Sequence, residues 1–257
     1  MGVSYKGQIF KSLSWEDLSE LIVSIAQDEA VKRRRSDHNF RDFQRYVTDL
    51  VYIVRSLEKK SKILDIGAGA GVFSIALARL GLDITATNSI HNEIQQVQDA
   101  EFFENYGCDF APLNLDKNRL PFADKEFDMV LCLHVLEHLK KPTTALVEIK
   151  RILKPGGILI LMTPNGVVTS IYHTIRYANR VQGSEHVKEY TPFELANMLT
   201  SIGFEIHNLE YSSKMAFADV TGPKRLFVDS YSFFCNLFPI ISYEIHMTAR
   251  IKEYIRT

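Results

Sequence analysis

The sequence predicts an α/β fold: a doubly wound, mostly parallel sheet behind an N-terminal helical extension. Three observations carry that expectation. From residue 62 onward, short apolar runs alternate with helical patterns, as in strands linked by crossover helices. A Gly-rich turn joins the first apolar run to the first of those helices. The chain has 257 residues, 46% of them hydrophobic, enough for one large core or one core plus an appended segment.

The elements follow in order. Residues 1–60 read as helical and amphipathic, an extension ahead of a domain at 61–257. Ser14 can cap a helix that places Leu18, Leu21, Ile22 and Ile25 at helical spacing. A second pattern runs through Phe43, Val47, Leu50, Val51 and Val54, and Lys59-Lys60-Ser61-Lys62 breaks it. Ile63-Leu64-Asp65-Ile66 is then a short strand. Residues 72–80 read as a helix stopped by Gly81, 83–87 as a strand, 92–103 as a helix and 127–133 as a buried strand. Residues 142–153 form a helix with Leu146, Ile149 and Leu153 on one face. Lys154-Pro155-Gly156-Gly157 turns the chain into a strand at 158–162. Thr191 can cap a helix at 192–202, and strands near 205–210 and 243–251 follow. Segments around 166–190 and 211–242 are expected to cover a substrate. The second carries Phe217, Phe227, Tyr231, Phe233, Phe234 and Phe238, which also suit a small satellite core beneath a long loop.

Composition excludes several classes. With 30 Lys+Arg against 31 Asp+Glu, the chain does not bind nucleic acid by overall basicity. Lys32-Arg33-Arg34-Arg35 is a local basic run that could meet phosphates, although a solvated helix face accounts for it more simply. Cys108, Cys132 and Cys235 are odd in number and far apart, with no Cys-x-x-Cys, so no disulfide framework or thiolate zinc knuckle is expected. A reducing, cytoplasmic setting fits. Residues 1–10 lack the apolar core of a secretory signal. Residues 233–241 are too short and broken to span a membrane, which takes about 20 apolar residues.

The chemistry starts at Ile63-Leu64-Asp65-Ile66-Gly67-Ala68-Gly69-Ala70-Gly71, where a strand ends, a Gly-rich loop follows and a helix begins. Glycines there let the backbone turn sharply and approach a ligand closely. In an open parallel sheet, ligands bind at the carboxyl ends of the strands. The spacing is Gly-x-Gly-x-Gly. The dinucleotide fingerprint would place its third glycine at Val72.

Further motifs follow in a recognisable order. They are Leu120-Pro121-Phe122 with Phe127-Asp128-Met129-Val130; Val135-Leu136-Glu137-His138-Leu139; Arg151-Ile152-Leu153-Lys154-Pro155-Gly156-Gly157; and Thr163-Pro164-Asn165. His186, Tyr190-Thr191, Glu194-Leu195 and Gly203-Phe204 complete the set. Together these resemble class I S-adenosylmethionine (SAM)-dependent methyltransferases over roughly residues 60–210. The likeness is greatest to the type 11-like branch that acts on small molecules, sugars and quinones. The resemblance implies a Rossmann-like sheet of seven strands, SAM as methyl donor and S-adenosylhomocysteine as product.

The resemblance also implies roles for single residues. Asp65 and the loop of Gly67, Ala68, Gly69 and Gly71 would surround the methionine part of SAM. Asp65 equally suits a structural carboxylate. The family ends its second strand on an acid that bonds the ribose hydroxyls; here that position is Asn88. Replacing it with Asp is therefore expected to tighten SAM binding. Asn114, Leu115 and Asp116 share the adenine-side position, with the choice among them open. His134 would line the cleft between SAM and acceptor. Transfer to a hydroxyl needs a general base, and His134 and His186 are the candidates.

Other readings have cheap discriminators. His134-Val135-Leu136-Glu137-His138 fits a His-x-x-Glu-His zinc pattern, but that needs a helix where the pattern reads as a strand, so no metal is expected. A nicotinamide dehydrogenase is disfavoured by the glycine spacing and by Asn88. A methyltransferase-like domain that binds SAM without turnover stays open. The Asn/Asp-Pro-Pro-Tyr motif of exocyclic-amine DNA methylation is missing after the fourth strand, so DNA is not an expected acceptor. RNA stays open, as does self-association. A small-molecule, sugar or lipid-linked acceptor is expected, with O-methylation favoured.

Overall fold

The computed structural model describes residues 13–34, 43–57, 61–89, 93–115, 119–169, 186–212, 235, 238 and 242–251. Helices α1 (Trp15–Ala26), α2 (Glu29–Arg34) and α3 (Phe43–Ser56) precede the sheet. The remaining elements are β1 (Lys62–Ile66), α4 (Val72–Arg79), β2 (Asp83–Asn88), α5 (Glu93–Asn105), β3 (Asp109–Pro112) and β4 (Phe127–Leu133). After these come α6 (Pro142–Ile152), β5 (Leu153–Pro164), α7 (Pro192–Ser201), β6 (Phe204–Ser212) and β7 (Glu244–Ile251).

Local chemistry sets the helix starts. The Ser14 hydroxyl accepts from the Asp17 N–H at 3.0 Å, and the Asp17 carboxylate accepts from the Ser14 N–H at 2.8 Å. Thr191 and Glu194 repeat this reciprocal cap at α7. Each cap satisfies two backbone donors that a helix start leaves without partners.

The seven strands run in the order β3-β2-β1-β4-β5-β7-β6. β1 to β5 are parallel, and β7 lies antiparallel between β5 and β6. This is the expected doubly wound sheet. Four details differ from the sequence reading. β3 was not anticipated. α2 adds a helix on the basic run. Leu153 leaves the helix to pair with Phe127 at the start of β5. The Lys154–Gly157 turn lies inside β5, where the register with β4 shifts.

Two apolar layers clothe the sheet. On one face Leu18, Ile22, Ile25, Leu50 and Ile53 pack with Ile63, Ile75 and Leu77, so α1 and α3 share a core with α4. On the other, Leu146, Ile149, Leu195 and Leu199 pack with Leu64, Val130 and Leu159. Burying each such side chain is worth roughly 1.5–3 kcal/mol. No helix among the described residues is long and apolar enough to cross a membrane.

β1 stands between β2 and β4, so the connections that leave β1 and β4 diverge at their carboxyl ends. That divergence opens a crevice at the switch point of the sheet.

Candidate active site

The loop after β1 forms one wall of the crevice. Gly67 has φ +70, and a Cβ there would lie 2.7 Å from Val135 Cγ2, so only glycine lets the two loops meet. Gly69 has φ +56 and is exposed, and a Cβ there would meet nothing nearer than the Gly67 carbonyl at 3.9 Å. The space above Gly69 is thus open to a ligand. The Ala68 N–H donates to the Thr87 carbonyl at 2.8 Å, tying the loop to β2.

Asp65 is buried and turns inward. Ser74 of α4 donates to its Oδ2 at 2.6 Å. Burial raises its carboxyl to about 6, and the Ser74 hydrogen bond offsets part of the rise. Asn88 ends β2 and folds over the loop: the Gly69 N–H donates to its Oδ1 at 2.8 Å. Asn88 Nδ2 donates to the Gly69 carbonyl and to Asp99 Oδ2, each at 3.2 Å. Asn114 is exposed just past β3 and Leu115 is buried. Asp116 lies outside the described residues.

The other wall follows β4. His134 has φ +54, and its N–H donates to the Met162 carbonyl at 2.9 Å. It therefore ends a strand and stands outside the short 3₁₀ turn Leu136–His138. Its two ring nitrogens face buried carboxylates: Nδ1 lies 3.5 Å from Glu137 Oε1, and Nε2 meets Glu244 of β7. Burial pushes the Glu137 carboxyl up, but the hydrogen bond and charge of His134 outweigh it and hold it below the usual range. Behind Glu244, His246 Nε2 lies 3.1 Å from Glu244 Oε2 and 3.5 Å from Asp49 Oδ1 of α3. Burial lowers the His246 imidazole, and Glu244 and Asp49 more than reverse that.

His186 joins this wall from a distant part of the chain. The Val187 and Lys188 N–H groups donate to the Glu137 carbonyl at 2.8 and 3.1 Å, which pins the segment to the turn after β4. His186 Nδ1 lies 2.8 Å from Glu189 Oε1, and its ring meets that of His138 edge-on, 4.9 Å between centroids. The two histidines named from the sequence therefore meet around Glu137, to which the methyltransferase reading gave no role. Glu244, His246 and Asp49 were also missed. Among the described residues, two groups bring three metal-binding atoms within 4.8 Å of one another: Glu137, His138 and His186, and Asp49, Glu244 and His246. In the first the His138 and His186 rings meet edge-on, and in the second His246 pairs with Glu244 and Asp49.

A sheet of this order, with a glycine loop and an open cradle at its switch point, defines a Rossmann-like class I methyltransferase. Comparison agrees. A methyltransferase-domain family model matches residues 35–209, and the chain belongs to that family of SAM-dependent enzymes. It is 28% identical over 167 residues to a ubiquinone biosynthesis O-methyltransferase of Xanthomonas axonopodis pv. citri, covering 62% of this chain and 70% of the relative. A protein so named from Rickettsia canadensis is 28% identical over 157 residues, covering 59% and 65%. The chain thus spans about two thirds of the length of these relatives. The fold resembles a SAM-dependent methyltransferase from Archaeoglobus fulgidus, with TM-score 0.56, 17% identity and coverage of 85% and 96%.

Proposed function

We propose that this enzyme methylates a hydroxyl of a small-molecule, sugar or lipid-linked acceptor, with His186 as general base. The observation that carries the reading is the His186–Glu189 pair. A carboxylate 2.8 Å from Nδ1 holds a proton there and leaves Nε2 to accept one. His134 suits that task less, because both of its nitrogens face carboxylates. The names of the O-methyltransferase relatives support the same acceptor atom.

SAM, when bound, supplies an electrophilic methyl group on a sulfonium. The loop of Gly67, Ala68, Gly69 and Gly71 holds its methionine part and Asn114 with Leu115 flanks its adenine. Asn88 acts chiefly by bracing Gly69. The acceptor hydroxyl gives its proton to His186 Nε2, and Glu189 stabilises the imidazolium. Holding the acceptor oxygen in line with the methyl supplies most of the acceleration. Burial pushes the Cys108 thiol up to about 12, and Cys132 and Cys235 are buried as well. Buried thiols of this kind suit a reducing, cytoplasmic setting.

The test is a screen with methyl-labelled SAM over quinols, sugars and lipid-linked alcohols. Label should enter an oxygen, at a rate that depends on His186. Label on nitrogen, transferred equally well by His186→Ala, would overturn the reading.

A further inference from the structure

Asp99 is an acid on α5 with only 4% of its side chain exposed. A carboxylate so buried requires a charged or hydrogen-bonding partner. It has both. Arg34 of α2 sets Nη2 against Asp99 Oδ1, and Asn88 Nδ2 donates to Oδ2 at 3.2 Å. The Asn88 amide then grips Gly69, the exposed glycine of the loop, accepting from its N–H at 2.8 Å. Four groups in series connect α2 to the loop.

Arg34 is held in place independently. Its guanidinium lies over the Phe102 ring, 4.3 Å from the centroid. Immediately before α2, Asp28 shares a hydrogen bond with the Tyr106 hydroxyl. Asp99 and Phe102 fall at i and i+3 on one face of α5, and Tyr106 follows just past its end. Residues 28–34 therefore form a strap along that face. The family match begins at residue 35, so the strap precedes the matched stretch.

We infer that Arg34 is a positioning residue for the methyl donor, acting through Asp99 and Asn88 to set the loop at Gly69. The inference rests on the loop being the donor's cradle. Charge explains why the chain carries an amide at position 88. An aspartate there would put a second carboxylate against Asp99 and remove the donor that Asp99 accepts. Paired with Arg34, Asp99 accepts from Nδ2 and fixes the amide with Oδ1 toward the Gly69 N–H. Without Arg34 the buried carboxylate has lost its cationic partner and turns toward water, releasing the amide. The freed amide no longer holds the Gly69 N–H in place.

Titration calorimetry with S-adenosylhomocysteine tests this without knowledge of the acceptor. Arg34→Met keeps an unbranched apolar side chain beside Phe102 and removes the charge. It should weaken binding about tenfold, the worth of roughly one hydrogen bond. Arg34→Met with Asp99→Asn removes both charges, and affinity should return to within about threefold of wild type. A merely structural role predicts no recovery, since the pair deletes more native groups. Wild-type affinity in a folded Arg34→Met protein, or no recovery in the double variant, overturns the inference. Arg34→Lys covers the case in which Arg34→Met does not fold: it keeps the charge and should bind within about threefold of wild type. A tenfold loss there also overturns it. Gly69→Val serves as the control. If it too binds normally, the loop assignment fails; if it alone loses binding, only the role of Arg34 fails.

Discussion

The two walls of the crevice are built from different materials. Beside β1 and β2 the site is mostly backbone: left-handed glycines, the Thr87 carbonyl and the Asn88 amide, with Asp65 turned inward. Beside β4, β5 and β7 it is made of ionisable side chains packed into the interior. Glu137 and Glu244 are fully buried, Asp49 and His246 nearly so, and His134 reaches two of these carboxylates from the edge. Backbone groups have fixed shape and do not titrate. Buried ionisable groups hold and move protons, at a desolvation cost that partners must offset. On the function proposed above, the difference amounts to a division of labour, with the donor held by shape and the acceptor handled by proton chemistry. Substitutions on the first wall should move affinity, and those on the second should move turnover.

The largest effect expected is on the first wall. Gly69→Val places a β-branched side chain at φ +56 and in the open space above the loop. SAM binding should fall below detection by calorimetry while the circular dichroism spectrum stays native. Retained binding would break the comparison at its base.

His186→Ala should lower turnover about 10²-fold or more while leaving S-adenosylhomocysteine affinity within about twofold. Glu189→Gln should reproduce part of that loss, because it weakens the hold on Nδ1. An equal drop in product affinity would mean that the second wall binds the donor.

Asp65 sharpens the contrast through stability. Its carboxyl sits at about 6 in the fold against 3.8 in an unfolded chain. Between those values the folded chain keeps a proton that the unfolded chain has lost. Stability should therefore fall as pH rises from about 4 to 6, by up to about 3 kcal/mol at this site. Asp65→Asn should flatten that part of the curve of urea midpoint against pH. An unchanged slope would show that the acid stays ionised in the fold.

The smallest effect concerns Asn88→Asp. Family likeness alone suggests tighter SAM binding. The hydrogen bonds of Asn88 reverse the expected sign, because the new carboxylate would face Asp99 and lose the Nδ2 donor. SAM affinity should drop about fivefold. A rise would return position 88 to the ribose.

The first wall was legible in the sequence because its structure is local: strand, glycine loop and helix fall within twenty residues, Lys62 to Arg79. The caps at Ser14 and Thr191 were legible for the same reason. β3 was not, since Asp109–Pro112 is four residues at the sheet edge with no clean alternation of burial. α2 spans six residues, too few for periodicity to show. The second wall was read only in part. His134 and His186 stood out as histidines near motifs, whereas Asp49, Glu137 and Glu244 come together from three distant stretches of chain. One signal was available: Glu244, His246 and Thr248 alternate with the buried apolar Ile245, Met247 and Ala249 along β7. Polar residues on one face of a buried strand need partners, and here the partners are His134, Asp49 and Tyr52.

The place of β7 also sets a timetable for synthesis. The strands from β1 to β5 can pair as the ribosome delivers them, each against one already made. β6 cannot, because its partner is β7, which emerges later and must slot in between β6 and β5. Until then two strand edges stand open to other nascent chains, a hazard that only the arrival of residues 244–251 removes. The same residues carry Glu244 and His246 beneath the crevice. Joining β6 to the sheet and assembling the buried acid–histidine cluster are therefore a single late event, and a nascent chain acquires its second wall only when β7 bridges β5 and β6.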